Sequence, residues 1–275
     1  MTDPLSNPKQ ECSIANAVSP LSAFLAAVQF LLITPAFIRR PFTSREMGKS
    51  VGFYPLVGVI LGSILLGVDS LIAVVGSGGA PLFPLQVRTA LILVLWVVMT
   101  GALHLDGFLD TCDGLLGGYT PEQRLKIMRD ENVGAYALAG GILLLLTKFS
   151  ALGAVTNRPV ALLLAPTLGR WGLAIAVVGF PYARAQGLGR DVKDHAGVRQ
   201  ALLATLLTLG AVGILTWYMQ SWVVVVTFGA AALTVWGGAN FALHRIPGLT
   251  GDIYGALNEM VELVVLLVLV AGYTS

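Results

Sequence analysis

The sequence predicts an all-α fold, a polytopic integral membrane bundle of about eight transmembrane helices. Hydrophobic residues make up 56% of the 275 positions and charged residues only 12%, and the mean hydropathy of +0.79 lies far above that of soluble domains. Apolar windows of about 20 residues, the length that crosses a bilayer, recur along almost the whole chain. No polar stretch remains that is long enough for a separate soluble domain.

The apolar windows set the bounds of the predicted spans in chain order. They are 19–38, 51–75, 87–103, 134–155, 159–180, 200–218, 221–243 and 254–273. Gly58 and Gly62 in the second span form a small-xxx-small pair, which is typical of close helix packing in membranes. We therefore expect a polar N-terminal tail, 1–18, and a single transmembrane catalytic domain, 19–275.

Lysine and arginine are concentrated in alternate loops. These loops contain Arg39, Arg40, Arg45, Lys49, Arg124, Lys126, Arg129, Arg184, Arg190, Lys193, Arg199 and Arg245. The positive-inside rule then places these loops in the cytoplasm and both termini outside. Segments 104–133, 181–198 and 244–253 are accordingly expected to open on the same, cytoplasmic side.

Three aspartates follow the third span in "HLDGFLDTCDG", residues 104–114. Asp106, Asp110 and Asp113 have the spacing i, i+4, i+7, which places three carboxylates on one helical face. Like charges this close repel, and Mg²⁺ commonly binds one or two carboxylates together with substrate phosphates. The spacing therefore predicts a metal site. A solvated loop is the alternative, because Asp-Gly turn pairs occur twice in this stretch.

A short amphipathic helix is predicted in "GGYTPEQRLKIMRDENVG", residues 117–134. Thr120 suits the N-cap and Pro121 the first helical position, so the helix should begin there and run to about residue 131. Apolar and basic side chains alternate along it, as in helices that lie at the membrane interface. Arg124 and Arg129 are the residues of this helix that we expect to bind phosphate. The alternative is that their side chains are simply exposed to solvent.

A second acidic face is predicted in the last span. Asp252, Glu259 and Glu262 share one helical face, and the two glutamates fall inside the membrane, where carboxylates are functional candidates. This face either meets the aspartate face in one cavity or forms ion pairs between helices. Arg170 in the fifth span has the same two alternatives, phosphate binding or pairing with a glutamate.

His104 and Arg184 complete the candidate residues. His104 precedes the acidic face and is a base, a metal ligand or a hydrogen-bonding residue at the interface. Arg184 borders a cytoplasmic loop and could contact phosphate. The expected substrate-binding set is Arg124, Arg129, Arg170, Arg184, Asp252, Glu259 and Glu262.

A metal face and basic residues beside a membrane cavity favour transfer of a phosphorus-containing group. A CDP-alcohol phosphotransferase-like lipid enzyme is one alternative, but its Asp-Gly-x-x-Ala-Arg pattern is absent after Asp113-Gly114. A cation-coupled transporter is another, since acidic residues inside helices also mark ion pathways. Against it, the carboxylates cluster at one membrane face.

The three motifs "HLDGFLDTCDG", "RLKIMRDENVGAYA" and "LTGDIYGALNEMVE" together resemble the cobalamin synthase family, also called adenosylcobinamide-GDP ribazoletransferase. "PLVGVILG" (55–62) and "PTLGRW" (166–171) are similar to that family as well. The resemblance implies a membrane enzyme of late cobalamin biosynthesis. It would join adenosylcobinamide-GDP to α-ribazole or its 5'-phosphate with Mg²⁺, giving adenosylcobalamin or its 5'-phosphate and GMP.

The resemblance also implies Asp106, Asp110 and Asp113 as the metal and diphosphate site. In the expected mechanism a ribazole hydroxyl attacks the phosphorus nearest the corrinoid, while Arg129 and Arg170 offset negative charge. Asp130 or a motif aspartate accepts the proton. The expected location is the bacterial inner membrane, with the active site facing the cytoplasm. Besides the lipid bilayer, other corrinoid-assembly enzymes are candidate partners, and no nucleic acid is expected.

Overall fold

The computed structural model describes residues 18–74 and 82–272, and this part of the chain contains helices and no β-strand, which confirms the all-α class. The helices are α1 Pro20–Leu31, α2 Ser44–Ser50, a 3₁₀ turn Val51–Phe53, α3 Tyr54–Val74, α4 Leu85–Met99, α5 Leu103–Gly117, α6 Pro121–Ile127, α7 Ala135–Ala154, α8 Arg158–Gly179, α9 Leu188–His195, α10 Val198–Met219, α11 Val223–Leu243 and α12 Gly251–Gly272.

Within the described residues, six helical segments are long and apolar enough to cross a membrane, and they contain α3, α7, α8, α10, α11 and α12. Helices α4 and α5 together supply a seventh span if the pair, bent by 87°, is counted as one. The chain is thus a multi-pass membrane protein. The expected count of about eight exceeds this because of the first predicted span.

The first predicted span, 19–38, is wrong as a single crossing. Helix α1 has 12 residues and is about 18 Å long at 1.5 Å per residue, well short of the roughly 30 Å hydrocarbon core. The Gln29 side chain donates to the Ile38 carbonyl at 3.2 Å and accepts from the Ile38 N–H at 2.8 Å. The chain therefore folds back after Leu31. The prediction that the N-terminus lies on the extracytoplasmic side depended on this span and is no longer supported by it. Tail residues 1–17 are not among the described residues.

Helix α8 is the centre of the bundle, since 89% of its most apolar window is buried. It packs against α3 through the predicted glycine pair. A Cβ at Gly58 would lie 2.5 Å from the Pro166 carbonyl oxygen, and one at Gly62 would lie 2.5 Å from that of Leu162. Only glycine permits this approach, so the small-xxx-small prediction is confirmed.

A buried ion cluster lies near the C-terminal end of α3. Asp69 is 5% exposed and pairs with Arg158 Nη2 at 2.8 Å and with Arg88 Nε at 3.1 Å. Both arginines lie in or next to the loops that the sequence predicts to be poor in cations. Their charge is therefore offset by a buried carboxylate.

The aspartate helix α5 is separated from α4 by a sharp break. Gly101 and Ala102 have φ of +60° and +56°, and the left-handed conformation costs about 1–2 kcal/mol for a residue with a side chain. The Ile33 N–H, just beyond α1, donates to the Met99 carbonyl at 2.7 Å. The acidic stretch is therefore a helix of its own rather than the end of the apolar span.

Candidate active site

The segments expected to share one side of the membrane meet at one end of the bundle. Arg184 Nη2 donates to Asp252 Oδ2 at 2.6 Å and to the Met128 carbonyl at 3.4 Å. Arg124 Nη1 donates to the Arg245 carbonyl at 3.1 Å. Segments 104–133, 181–198 and 244–253 thus lie at the same end of the bundle, as expected, and the cytoplasmic orientation of that end stays a prediction.

Helices α5 and α12 come close enough for the two acidic faces to touch at their first residues. A Cβ at Gly107 would lie 2.7 Å from the Asp252 carbonyl oxygen, and one at Gly255 would lie 3.1 Å from that of His104. This approach places Asp106 beside Asp252.

Among the cavities that the described residues form at this end of the bundle, two are lined by motif aspartates. The deep cavity, of about 450 Å³, has Asp106, Arg129, Arg184 and Asp252 among its polar lining and is otherwise largely apolar and aromatic. The acidic cavity, of about 340 Å³, is lined by polar residues that include Asp106, Asp110, Asp113, Arg129, Asp130 and Asn132. Asp106 and Arg129 line both cavities, so the two cavities share a wall.

All three motif aspartates lie on α5 and face the acidic cavity, which confirms the predicted helix and common face. Asp113 has a further role that was not predicted. It is 9% exposed, and its oxygens accept the Gly134 N–H at 2.6 Å and the Ala137 N–H at 2.9 Å. Asp113 therefore caps the N-terminus of α7.

Of the three motif aspartates, Asp106 and Asp110 have carboxylates that accept no hydrogen bond from the described residues. Asp110 is within electrostatic range of Asp106, Asp252 and Asp113, and also of the Arg184 guanidinium. This excess of negative charge fits a cation.

Within 18–74 and 82–272, no three His, Cys, Asp or Glu side chains are grouped closely enough to hold a metal ion by themselves. Mg²⁺ commonly uses one or two carboxylates and completes its ligands with phosphate oxygens and water. Asp106 and Asp110 fit that donor set, whereas Asp113 already accepts two backbone N–H groups. The three-aspartate metal site stays a prediction.

The predicted arginines separate into different roles. The Arg129 side chain lines both cavities and makes no hydrogen bond to the described residues. Arg184 lines the deep cavity and is paired with Asp252. Arg124 borders neither cavity and instead links α6 to the loop after α11, so its position does not fit the expected phosphate contact.

His104 and Asp130, the other catalytic candidates, lie in different cavities. His104 is 1% exposed and lines the deep cavity, and neither ring nitrogen has a partner among the described residues. Asp130 is exposed beside the acidic cavity. The pKa of Asp130 is lowered by hydrogen bonds from the backbone N–H and side chain of Asn132, which makes it a weaker base.

Glu259, Glu262 and Arg170 lie in a buried ion cluster away from both cavities. Lys148 Nζ lies 2.5 Å from Glu259 and 2.6 Å from Glu262, and Arg170 pairs with Glu262. Of the second acidic face, only Asp252 reaches the site. The expectation that Arg170 offsets substrate charge is thus corrected, because the ion pair satisfies a cation that would otherwise be costly in the membrane.

Several residues of the deep cavity were not predicted from the sequence. They include Leu173 and Val177 on α8 and the aromatic residues Tyr54, Tyr182 and Tyr254. Apolar residues inside a span give no signal of their own, and tyrosines near span ends are usual at the membrane interface.

The family described as CobS, cobalamin-5-phosphate synthase, matches residues 23–270. The chain belongs to the cobalamin-5-phosphate synthase family. The family match confirms the resemblance seen in the motifs, and it disfavours the lipid-enzyme and transporter alternatives.

Relatives in this family are similar along nearly their whole length. An adenosylcobinamide-GDP ribazoletransferase from Pseudomonas syringae pv. syringae is 38% identical over 252 residues, covering 90% of this chain and 98% of the relative. One from Desulforamulus reducens is 35% identical, with 91% and 97% covered. No solved structure matches the chain.

Proposed function

We propose that this member of the cobalamin-5-phosphate synthase family transfers a corrinoid phosphoryl group from adenosylcobinamide-GDP to α-ribazole or its 5'-phosphate. The names of the relatives support the substrates. The observation that carries the proposal is the shared wall: Asp106 and Arg129 border both a polar, acidic cavity and a deep, largely apolar one. Two substrates of different chemistry can therefore meet there.

In the proposed reaction a ribazole hydroxyl oxygen forms a bond to the phosphorus nearest the corrinoid. The bond from that phosphorus to the bridging oxygen breaks, GMP leaves, and the hydroxyl proton passes to a base. Asp106 and Asp110 are the best-placed proton acceptors, since their carboxylates have no partners among the described residues. Asp130 is a poorer one because its pKa is lowered.

Arg129 offsets the negative charge of the diphosphate, which is the main demand of phosphoryl transfer. A guanidinium suits this because it can donate two parallel hydrogen bonds to phosphate oxygens. One of Asp106 and Asp110 would hold the Mg²⁺, which when bound would supply further charge neutralisation on the diphosphate, and the other would remain free to accept the proton.

The proposed location is the bacterial inner membrane, with the site facing the cytoplasm. The distribution of cations supports it: the loops at the site end contain most of the lysines and arginines, whereas Arg88 and Arg158 at the far end pair with Asp69. The positive-inside rule then favours a cytoplasmic site. Docking of other corrinoid-assembly enzymes on these loops stays a prediction.

The test is GMP release by the purified protein in lipid nanodiscs, given both substrates, with Mg²⁺ or with a chelator. We expect Mg²⁺-dependent GMP formation. Asp110→Asn should lower it about 100-fold, because losing a charged group at the reacting centre costs several kcal/mol.

Asp194→Asn is the matched control, since Asp194 lies on α9 and pairs with Arg190 at the surface. Its rate should stay within about twofold of wild type, as expected for a surface pair. An Asp110→Asn variant that keeps its activity would refute the role of Asp110. Uptake of substrate into sealed vesicles without any product would favour a transporter instead.

A further inference from the structure

The interior of the deep cavity contains buried polar groups that lack a partner. His104 is 1% exposed and Tyr254 is 5% exposed. Both His104 ring nitrogens and the Tyr254 hydroxyl make no hydrogen bond within the described part of the chain. Buried polar groups in folded proteins are nearly always paired. These two residues therefore indicate a partner that enters the cavity.

The cavity wall around them is apolar and aromatic. Leu31, Leu173 and Val177 line it, and the rings of Tyr182 and Tyr254 stack at 5.9 Å with planes 29° apart. Sites of this composition, with a few polar groups that fix orientation, bind flat, largely uncharged ligands. The wall thus favours a heteroaromatic group over a phosphate.

The positions of the cationic side chains favour a different substrate group in each cavity. Among the residues that line the deep cavity, the cations are Arg129 and Arg184, and Arg184 is already paired with Asp252. Arg129 lies on the wall shared with the acidic cavity. A diphosphate is therefore better accommodated at that wall. A volume of about 450 Å³ suits a nucleoside-sized ligand and is too small for a whole corrinoid.

We propose that the deep cavity is the binding site for the nucleoside substrate, with its heteroaromatic base inward and its ribose toward Asp106 and Arg129. The base lies against Leu173 and the tyrosine pair, and His104 and Tyr254 hydrogen-bond to its polar atoms. This inference rests on the proposed function, and it assigns the corrinoid diphosphate to the acidic cavity.

The experiment measures binding of α-ribazole alone to the full-length protein in nanodiscs by calorimetry, and then the KM of each substrate. Leu173→Trp fills the apolar wall and should weaken α-ribazole binding about tenfold or more. The KM for adenosylcobinamide-GDP should stay within about twofold. Leu233→Trp, the same change on a 70% exposed side chain of α11, should alter neither value.

Tyr254→Phe keeps the ring and removes only the unpartnered hydroxyl. It should weaken α-ribazole binding about three- to tenfold without raising the KM of the corrinoid substrate, as expected for loss of one polar contact. This variant keeps the test valid if Leu173→Trp does not fold.

Three outcomes overturn the inference. If Leu173→Trp folds and binds α-ribazole as wild type does, if Tyr254→Phe does so where Leu173→Trp does not fold, or if the folded variants raise mainly the KM for adenosylcobinamide-GDP, the assignment of the cavities is wrong while the proposed function stands. If the wild-type protein releases no GMP and binds no α-ribazole, the proposed function itself fails.

Discussion

Replacing Asp113 with Asn tests whether this aspartate acts mainly as a helix cap. Its carboxylate accepts backbone N–H groups of Gly134 and Ala137 at 2.6 and 2.9 Å. The amide of Asn keeps one acceptor oxygen, so one charge-assisted hydrogen bond is lost, worth about 1.5–3 kcal/mol. The negative charge at the N-terminus of α7 is lost too, worth about 0.3–1 kcal/mol. Water in the adjacent acidic cavity replaces part of this, which leaves a net cost of about 2 kcal/mol.

The assay is hydrogen–deuterium exchange of the peptide that covers the first turn of α7. A cost of about 2 kcal/mol raises the exchange rate of these amides roughly 30-fold. Asp110→Asn is the control, because Asp110 accepts no hydrogen bond from the described backbone. It should lower turnover about 100-fold and leave this exchange unchanged. Equal exchange in both variants would refute the capping role.

Three further predictions concern the bundle and the proton acceptor. Lys148→Met removes the ammonium group that pairs with the buried carboxylates of Glu259 and Glu262, and it should destabilise the protein by about 3–5 kcal/mol, measured by thermal unfolding in detergent. Adding Glu259→Gln should restore part of the lost stability, and no recovery would count against the ion cluster. Gly58→Leu forces α3 away from α8 and should lower the melting temperature, whereas Gly67→Leu, with open space around its Cβ position, should not; equal melting temperatures would contradict the packing. Asp130→Asn should lower kcat less than tenfold, roughly the limit for a group that is not the base. Because the pKa of Asp130 is lowered, its carboxylate is still ionised at a pH equal to the ordinary pKa of an aspartate. The acidic limb of the pH–rate profile should therefore not move, and a shifted limb would identify Asp130 as the base.

The fold class and the acidic face were predictable because each rests on a local pattern. Long apolar windows specify spans without reference to the rest of the chain, and the spacing of Asp106, Asp110 and Asp113 specifies one helical face. The cap formed by Asp113 was not predictable, since its partners lie more than 20 positions away and are backbone groups that any residue offers.

The return of the chain after α1 and the break between α4 and α5 were not predicted from the sequence, for a related reason. Hydropathy reports how apolar a segment is and not where the chain turns. The return after Leu31 depends on the Gln29 side chain bonding to Ile38, and the break before α5 depends on positive φ at Gly101 and Ala102. Small, apolar residues at a turn leave the window average almost unchanged.

Whether the intramembrane charged residues bind substrate or pair with each other could be decided only from the three-dimensional structure. Ion pairing was one of two alternatives for Arg170, Glu259 and Glu262, and composition alone cannot choose between them. The deciding contact is Lys148 on α7, which meets both glutamates. Pairing across helices depends on rotation of each helix about its axis, which the sequence constrains only loosely.

The wall shared by the two cavities has a consequence for kinetic order. Because Asp106 and Arg129 border both spaces, acceptor and donor can reside in the protein at the same time, and neither has to leave before the other enters. Direct transfer between them needs a ternary complex and no covalent intermediate on the protein. Initial-rate plots at several fixed concentrations of the second substrate should therefore give intersecting lines, whereas a ping-pong enzyme gives parallel ones.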